Sequence, residues 1–184
     1  INHKEFKFEI LPQAFFQPNS KQAEVIYSLV QNLTPDSNVI YDLFCGTGTI
    51  GLVLSSKANK VYGVELEPQA IEVAKQNAEL NQVQNIEFLE GDVYKVLKNT
   101  NLEKPDTVIV DPPRCGLTDK ALDFIVDLNP ENIIYVSCNI KTFAQNAVYL
   151  KEKGYNLEIV TPVDQFPHTR HLEIVSKFTF QKFV

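Results

Sequence analysis

The chain has 184 residues, a formal net charge of -6 and 44% hydrophobic residues, a size and composition that support one ordinary soluble core. No apolar run approaches the roughly 18 residues of a membrane-spanning helix, there is no signal-peptide pattern, and three scattered cysteines make neither a disulfide framework nor a metal cluster, which suits a reducing, cytoplasmic setting. An acidic balance (pI about 5.1) argues against a large nucleic-acid footprint, because each phosphate contact normally calls for Lys or Arg; either the partner is not nucleic acid, or most phosphate contacts come from elsewhere in the protein.

Residues 1–19 read as a lead-in of mixed charge and aromatics closed by Phe15-Phe16-Gln17-Pro18-Asn19, and residues 20–184 as the core of a single domain. Ser20 caps a helical pattern with Ala23, Ile26, Tyr27 and Val30 on one face. After a turn at Pro35-Asp36, Asn38 to Phe44 is an apolar strand that ends at a Gly-rich bend, and a helix follows through Ile50, Leu52, Val53 and Leu54. Lys60 to Val64 is a second strand closed by Glu65. Pro68 opens a helix carrying Ala70, Ile71, Ala74 and Ala78 at the 3.6 period. Asn85 to Leu89 is a third strand, followed by Gly91-Asp92, and Asp106 to Val110 is a fourth, running into Asp111-Pro112-Pro113. Then come a helix (Asp119 to Leu128), a fifth strand (Asn132 to Ser137), a helix (Phe143 to Lys153) ended by Gly154, and two strands, about Leu157 to Val163 and Leu172 to Phe180.

Five strand–helix alternations predict an α/β fold: a doubly wound, mostly parallel, seven-stranded sheet with helices on both faces. The last two strands are joined by about eight residues, too few for a helical crossover, so the final strand runs antiparallel.

Glycines at 46, 48 and 51 have the spacing G-x-G-x-x-G in Asp42-Leu43-Phe44-Cys45-Gly46-Thr47-Gly48-Thr49. That spacing fits a nucleotide-cofactor site and equally a tight strand-to-helix turn. Glu65 stands where an acid can accept both ribose hydroxyls, and Asp92 where a carboxylate can meet an adenine amino group; singly, each could be a helix cap or surface charge. The alternation and these acidic strand ends resemble class I methyltransferases that use S-adenosylmethionine, in which the Gly-rich bend wraps the amino-acid part of the cofactor and the second-strand acid holds the ribose.

Four further segments carry a more specific resemblance: Phe15-Phe16-Gln17, Asp111-Pro112-Pro113-Arg114, Ser137-Cys138-Asn139, and Asp164-Gln165-Phe166-Pro167-His168-Thr169 with His171-Leu172-Glu173. Many amino-group methyltransferases place an aromatic after Asp/Asn-Pro-Pro. Arg114 departs from that pattern, and the chain resembles the RNA 5-methyluridine methyltransferase family, its ribosomal-RNA branch more than its transfer-RNA branch. The resemblance implies Cys138 as nucleophile, Glu173 as general base, and Asp111 between cofactor and uracil. It further implies Gln17, Phe44, Gly46, Gly48, Thr49, Glu65, Asp92 and Asp111 around S-adenosylmethionine, which leaves as S-adenosylhomocysteine. Phe16, Arg114, Phe166, His168 and His171 are the candidate RNA contacts. Two His and one Glu are too few for a metal site, and none is expected. With no Met and a start at Ile1, the chain reads as a catalytic C-terminal part, monomeric by default, of a protein whose RNA-binding portion precedes it.

The chemistry explains the parts. Uracil C5 is too weak a nucleophile to attack a methylsulfonium unaided; a thiolate at C6 activates it, and the C5 proton must then be removed by a base. Cys45 and Cys115 read as core, since free cysteines are among the most buried residues. Two departures from the family pattern stand out: Ile140 where Pro is usual, and Thr49 where Asn is usual. The rival readings are a class I methyltransferase for another base or a small molecule, a non-catalytic module that binds S-adenosylmethionine or RNA, and a nicotinamide enzyme.

Overall fold

The computed structural model describes residues 6–9, 19–169 and 172–181. Asn19, not Ser20, caps the first helix, α1 (Ser20–Leu33): its side-chain oxygen accepts the Gln22 N–H, and Ser20 is the first helical residue. Five strands follow in parallel, β1 (Ser37–Leu43), β2 (Ala58–Glu65), β3 (Ile86–Glu90), β4 (Thr107–Val110) and β5 (Asn132–Ser137). Between them run α2 (Thr49–Leu54), α3 (Pro68–Leu80), α4 (Val93–Asn99) and α5 (Asp119–Asp127), and α6 (Ile140–Glu152) leads to β6 (Tyr155–Val163) and β7 (Glu173–Phe180).

The sheet order is β3-β2-β1-β4-β5-β7-β6, with β7 antiparallel to both neighbours. The expected seven strands and antiparallel last strand are therefore present. Strands buried on both faces read as continuous apolar runs. In β1, Val39, Tyr41 and Leu43 face a core shared with α5 and α6 through Leu122, Ile125, Phe143 and Leu150. Ile40 faces the opposite core, built with Ile26 and Val30 of α1 and Ile50 and Leu54 of α2. A third cluster joins Leu52, Phe88 and the α3 residues Ile71, Ala74 and Ala78, with Phe6 and Phe8 packed against it.

The order reverses between β1 and β4, so a crevice opens beyond their carboxyl ends, where open α/β sheets bind ligands. Helix α4 had no counterpart among the predicted elements. It is seven residues long, begins with a β-branched valine, and starts where Asp92 accepts the Lys95 N–H.

Candidate active site

The Gly-rich turn consumes its own donors. Gly46 N–H donates to Glu65 Oε2 at 3.0 Å, Gly48 N–H to the Cys45 carbonyl at 2.9 Å, and Gly51 N–H to Asp42 Oδ2 at 2.8 Å. In a dinucleotide fingerprint the first glycine makes the tight turn, the second lets the backbone approach a pyrophosphate and the third allows close helix–strand packing. Here all three amides are bonded within the protein, so the turn is braced through Asp42 of β1 and Glu65 of β2. Gly48 sits at φ +77°, and an added Cβ would fall 2.5 Å from the Phe88 ring, so only glycine fits. Phe44 also has positive φ (64°), a strained conformation for a bulky side chain of the kind that clusters at functional sites.

Glu65 closes β2 with both carboxylate oxygens engaged: Oε2 takes Gly46, and Oε1 accepts the N–H groups of Leu66 (2.7 Å) and Glu67 (3.1 Å). Oε2 retains an acceptor direction. Asp92 lies two residues beyond β3 as the exposed cap of α4. Asp42 is fully buried; its Oδ1 has no hydrogen-bond partner, and burial, with Asp111 and Glu65 nearby, pushes its carboxyl up to about 7 against the Gly51 hydrogen bond. Burial and the neighbouring Glu173 likewise push Asp111 up to about 7. Thr49 is buried, 3.4 Å from Thr47 between hydroxyls, and burial drives the phenol of Tyr27 of α1 up to about 12, with Thr49 acting to lower it.

The chemical half lies across the same crevice. The β5–β7 register pairs Ser137 with Ile174, and β6 pairs Val163 with Glu173. Cys138 and Glu173 therefore follow as the next antiparallel pair at the sheet edge. Glu173 is 7% exposed and Cys138 half-buried. Burial raises the Cys138 thiol, the Glu173 and Asp111 charges raise it further, and Arg114 pulls it down. Burial also raises Glu173, again opposed by Arg114. Cys138, Glu173, Asp111 and Arg114 thus form one electrostatically coupled group.

One face of α6 holds this group in place. Asn139 caps α6 through the Lys141 N–H, and its Nδ2 donates to the Arg114 carbonyl at 3.0 Å. Thr142 also donates to that carbonyl, at 3.4 Å. Asn146, buried, accepts from Leu117 N–H and the Tyr135 hydroxyl and donates to the Leu117 carbonyl. Gly116, at φ +73°, would place a Cβ 2.9 Å from Thr142. The loop carrying Asp111 and Arg114 is therefore fastened to the helix that begins just after Cys138.

The departure at Ile140 becomes intelligible here. Ile140 is the first residue of α6, where proline is well tolerated, and Asn139 (φ -141°, ψ 104°) is already in the extended region that a following proline requires. Ile140→Pro is expected to leave stability unchanged or raise it by up to about 1 kcal/mol. Thermal unfolding checks this, and a loss above about 1 kcal/mol would contradict the assignment of Ile140 to that position.

Arg114 gives a pH expectation. Because its charge lowers the Cys138 thiol, Arg114→Gln should move the pH midpoint of Cys138 alkylation by iodoacetamide upward, read by mass spectrometry of the labelled peptide. An unchanged or lower midpoint would show that Arg114 does not act on the thiol.

Phe44, Gly46, Gly48 and Thr49 follow β1, Glu65 ends β2 and Asp111 follows β4, all at the carboxyl edge of the sheet where Cys138 follows β5; the charges of Asp111, Glu173 and Arg114 all act on Cys138. Phe166 is half-buried and His168 exposed, the latter at φ 70°, in the loop between β6 and β7. Phe16, Gln17 and His171 lie outside the described residues. Cys45 is buried as expected, but Cys115 is exposed: it sits in the turn that Gly116 closes, not in the core. Among the described residues, no group of three His, Cys, Asp or Glu side chains is placed to hold a metal ion. From sequence, Tyr27 and Asn146 are not placed at the site, and Asn139 enters only as part of the Ser137-Cys138-Asn139 segment, without its role as the cap of α6. Their signal was a polar group on a helix's buried stripe or at its cap.

A sheet in this order, with acidic strand ends around an internally bonded glycine turn, defines a class I methyltransferase fold. The model of the tRNA (uracil-5-)-methyltransferase family matches residues 1–178, and the chain belongs to that family. An uncharacterized RNA methyltransferase of Caldanaerobacter subterraneus subsp. tengcongensis is 50% identical over 171 residues, covering 92% of this chain and 38% of that protein. A second, from Clostridium tetani, is 46% identical over 171 residues, with 92% and 37% covered. The solved Pyrococcus abyssi tRNA (uracil-54, C5)-methyltransferase in complex with S-adenosyl-L-homocysteine superposes with TM-score 0.83 at 35% identity, covering 95% of this chain and 42% of that one. The chain spans about two fifths of the length of these relatives.

Proposed function

We propose that this chain methylates C5 of a uridine in RNA, using S-adenosylmethionine and a transient Cys138–C6 adduct. The observation that carries the reading is the placement of Cys138 opposite Glu173 at the carboxyl edge of the sheet, beside Asp111.

The residues fit the cofactor. Asp42 and Asp111 are held near neutrality by burial and by surrounding carboxylates, so a ligand carrying positive charge relieves the crevice where a diphosphate would add repulsion. Nothing lies within 4 Å of a Cβ built on Gly46, and Glu65 keeps an acceptor for a ribose hydroxyl. Gln17, Phe44, Gly46, Gly48, Thr49, Glu65, Asp92 and Asp111 are the proposed contacts. Bound there, S-adenosylmethionine supplies an electrophilic methyl group that uracil C5 can take, leaving S-adenosylhomocysteine.

Cys138 gives its proton to water and its thiolate forms the S–C6 bond; the C5=C6 electron pair shifts toward C5 and O4, making C5 nucleophilic. Once C5 carries the methyl group, Glu173 takes the C5 proton, the C–H electrons re-form C5=C6, and the S–C6 bond breaks to return the thiolate. Arg114 opposes the rise in the Cys138 thiol and so favours the reactive form. The uridine must leave its stack to reach this crevice, with Phe16, Phe166, His168 and His171 proposed as RNA contacts.

Ribosomal RNA is the proposed substrate over transfer RNA, on the wording of the Asp42–Gly46 and Gly63–Glu65 segments. The chain would act as a monomer beside an RNA-binding portion. Incubation of the full protein with methyl-labelled S-adenosylmethionine and transcripts of each RNA, followed by nucleoside digestion, tests this. Label in 5-methyluridine, greater for ribosomal RNA, is expected. Label in another nucleoside would overturn the target carbon, and label in transfer RNA alone would overturn the substrate.

A further inference from the structure

Residues 6–9 run alongside α3 and are clasped there by two asparagines one helical turn apart. Asn81 Oδ1 accepts the Lys7 N–H at 2.9 Å, and its Nδ2 donates to the Lys7 carbonyl at 2.7 Å. Asn77 Oδ1 accepts the Glu9 N–H at 2.7 Å, and its Nδ2 faces the Glu9 carbonyl at 3.5 Å. The spacing is coherent: residues i and i+4 of a helix stack on one face, and residues 7 and 9 of an extended chain turn their backbone groups the same way. Each carboxamide does for one residue what a neighbouring strand would do in a sheet.

Asn81 Nδ2 also donates to the backbone carbonyl of Asn77 at 2.8 Å, within the last turn of α3, whereas Asn77 reaches beyond the helix. Its Nδ2 also donates to the carbonyl of Thr47 at 3.3 Å, between Gly46 and Gly48. Asn77 is fully buried, so that donor is not replaced by water when lost. The underside of the turn is otherwise apolar: a Cβ on Gly48 would meet Phe88 at 2.5 Å and Ala74 at 3.0 Å. One side chain therefore ties the glycine turn, α3 and the incoming lead-in segment together.

We infer that Asn77 is a positioning residue for the S-adenosyl cofactor: by fixing the Thr47 carbonyl against α3 and residues 6–9, it holds the Gly46–Gly48 turn in its ligand-receiving shape. This rests on the cofactor reading above. Asn77 touches neither reacting carbon nor methyl group, so its loss should act on cofactor affinity and leave the chemical step intact. Asn81 supplies the internal control, because it makes the same kind of clasp without reaching the turn.

The test compares Asn77→Ala, Asn77→Asp and Asn81→Ala in the full protein. Asn77→Asp keeps the acceptor for Glu9 and removes the donor to Thr47. S-adenosylhomocysteine affinity is measured by calorimetry, steady-state KM for S-adenosylmethionine is separated from kcat, and amide exchange is followed at Gly46 and Gly48. Both Asn77 variants should bind about 10-fold more weakly, the effect of roughly one lost buried hydrogen bond, with KM raised, kcat near wild type and faster exchange at both glycines. Asn81→Ala should keep wild-type affinity. Equal weakening in Asn81→Ala, unchanged affinity in both Asn77 variants, or a fall in kcat alone would overturn the inference. Exchange at the turn is decided without any ligand: unaltered protection in both Asn77 variants would overturn the role of Asn77, whereas a wild-type protein that binds no S-adenosylhomocysteine would strike the cofactor reading instead.

Discussion

Glu173→Gln is expected to lower methyl transfer to RNA by about 10²- to 10⁴-fold, the usual contribution of a positioned general base, and to trap the protein on its substrate. Glutamine keeps the shape of a side chain that is only 7% exposed, so Cys138 can still add and C5 can still be methylated. The C5 proton then has no acceptor and the S–C6 bond cannot break. A covalent complex with ordinary uridine RNA should accumulate in the presence of S-adenosylmethionine and appear as a slow band on a denaturing gel. Turnover at the wild-type rate would remove Glu173 from the mechanism. The wild-type base must be ionised, and burial raises its proton affinity. The acidic limb of the rate profile should accordingly lie above that of an ordinary carboxylate, with activity gained as pH rises through it.

Cys138→Ala should abolish turnover, by roughly 10⁴-fold or more, as expected when a covalent nucleophile is removed. The side chain is half-buried at a strand end, so the fold and the crevice for S-adenosylhomocysteine should persist. Calorimetric binding near wild type beside absent transfer is the expected pair of results. A variant that still methylates C5 would require activation of uracil without the thiol and would favour a class I enzyme acting by another route. Adding Cys138→Ala to Glu173→Gln should also erase the trapped complex.

The main architecture could be read from the chain because β1, β4 and β5 are short buried apolar runs and α1, α3, α5 and α6 carry a 3.6-residue stripe. The eight-residue link before Leu172 already required the antiparallel last strand. That strand brings Glu173 beside Cys138 across 35 positions of sequence. Helix α4 is hard to read because Val93, Val96 and Leu97 give too short a period, and because the side chain that caps it, Asp92, follows a strand end where a carboxylate reads equally as a site residue. The glycine spacing was ambiguous for a physical reason: it records where the backbone bends, not where its N–H groups point. The bonds from Gly46, Gly48 and Gly51 to Glu65, Cys45 and Asp42, which brace this turn, leave no trace in the spacing. Asn77, Asn81 and Asn146 stood in plain view as amides on otherwise apolar helix faces, but their long-range partners at residues 7, 9, 47 and 117 cannot be deduced from periodicity.

The most direct measurement is the intact mass of the full protein after incubation with S-adenosylmethionine and RNA containing 5-fluorouridine. Fluorine at C5 cannot leave as a proton, so a reaction that begins by thiol addition stops with methylated RNA still joined to sulfur. The expected result is a protein–RNA adduct that maps to Cys138 and is absent from Cys138→Ala. Methyl transfer to ordinary uridine RNA with no adduct on the fluorinated RNA would contradict the covalent mechanism.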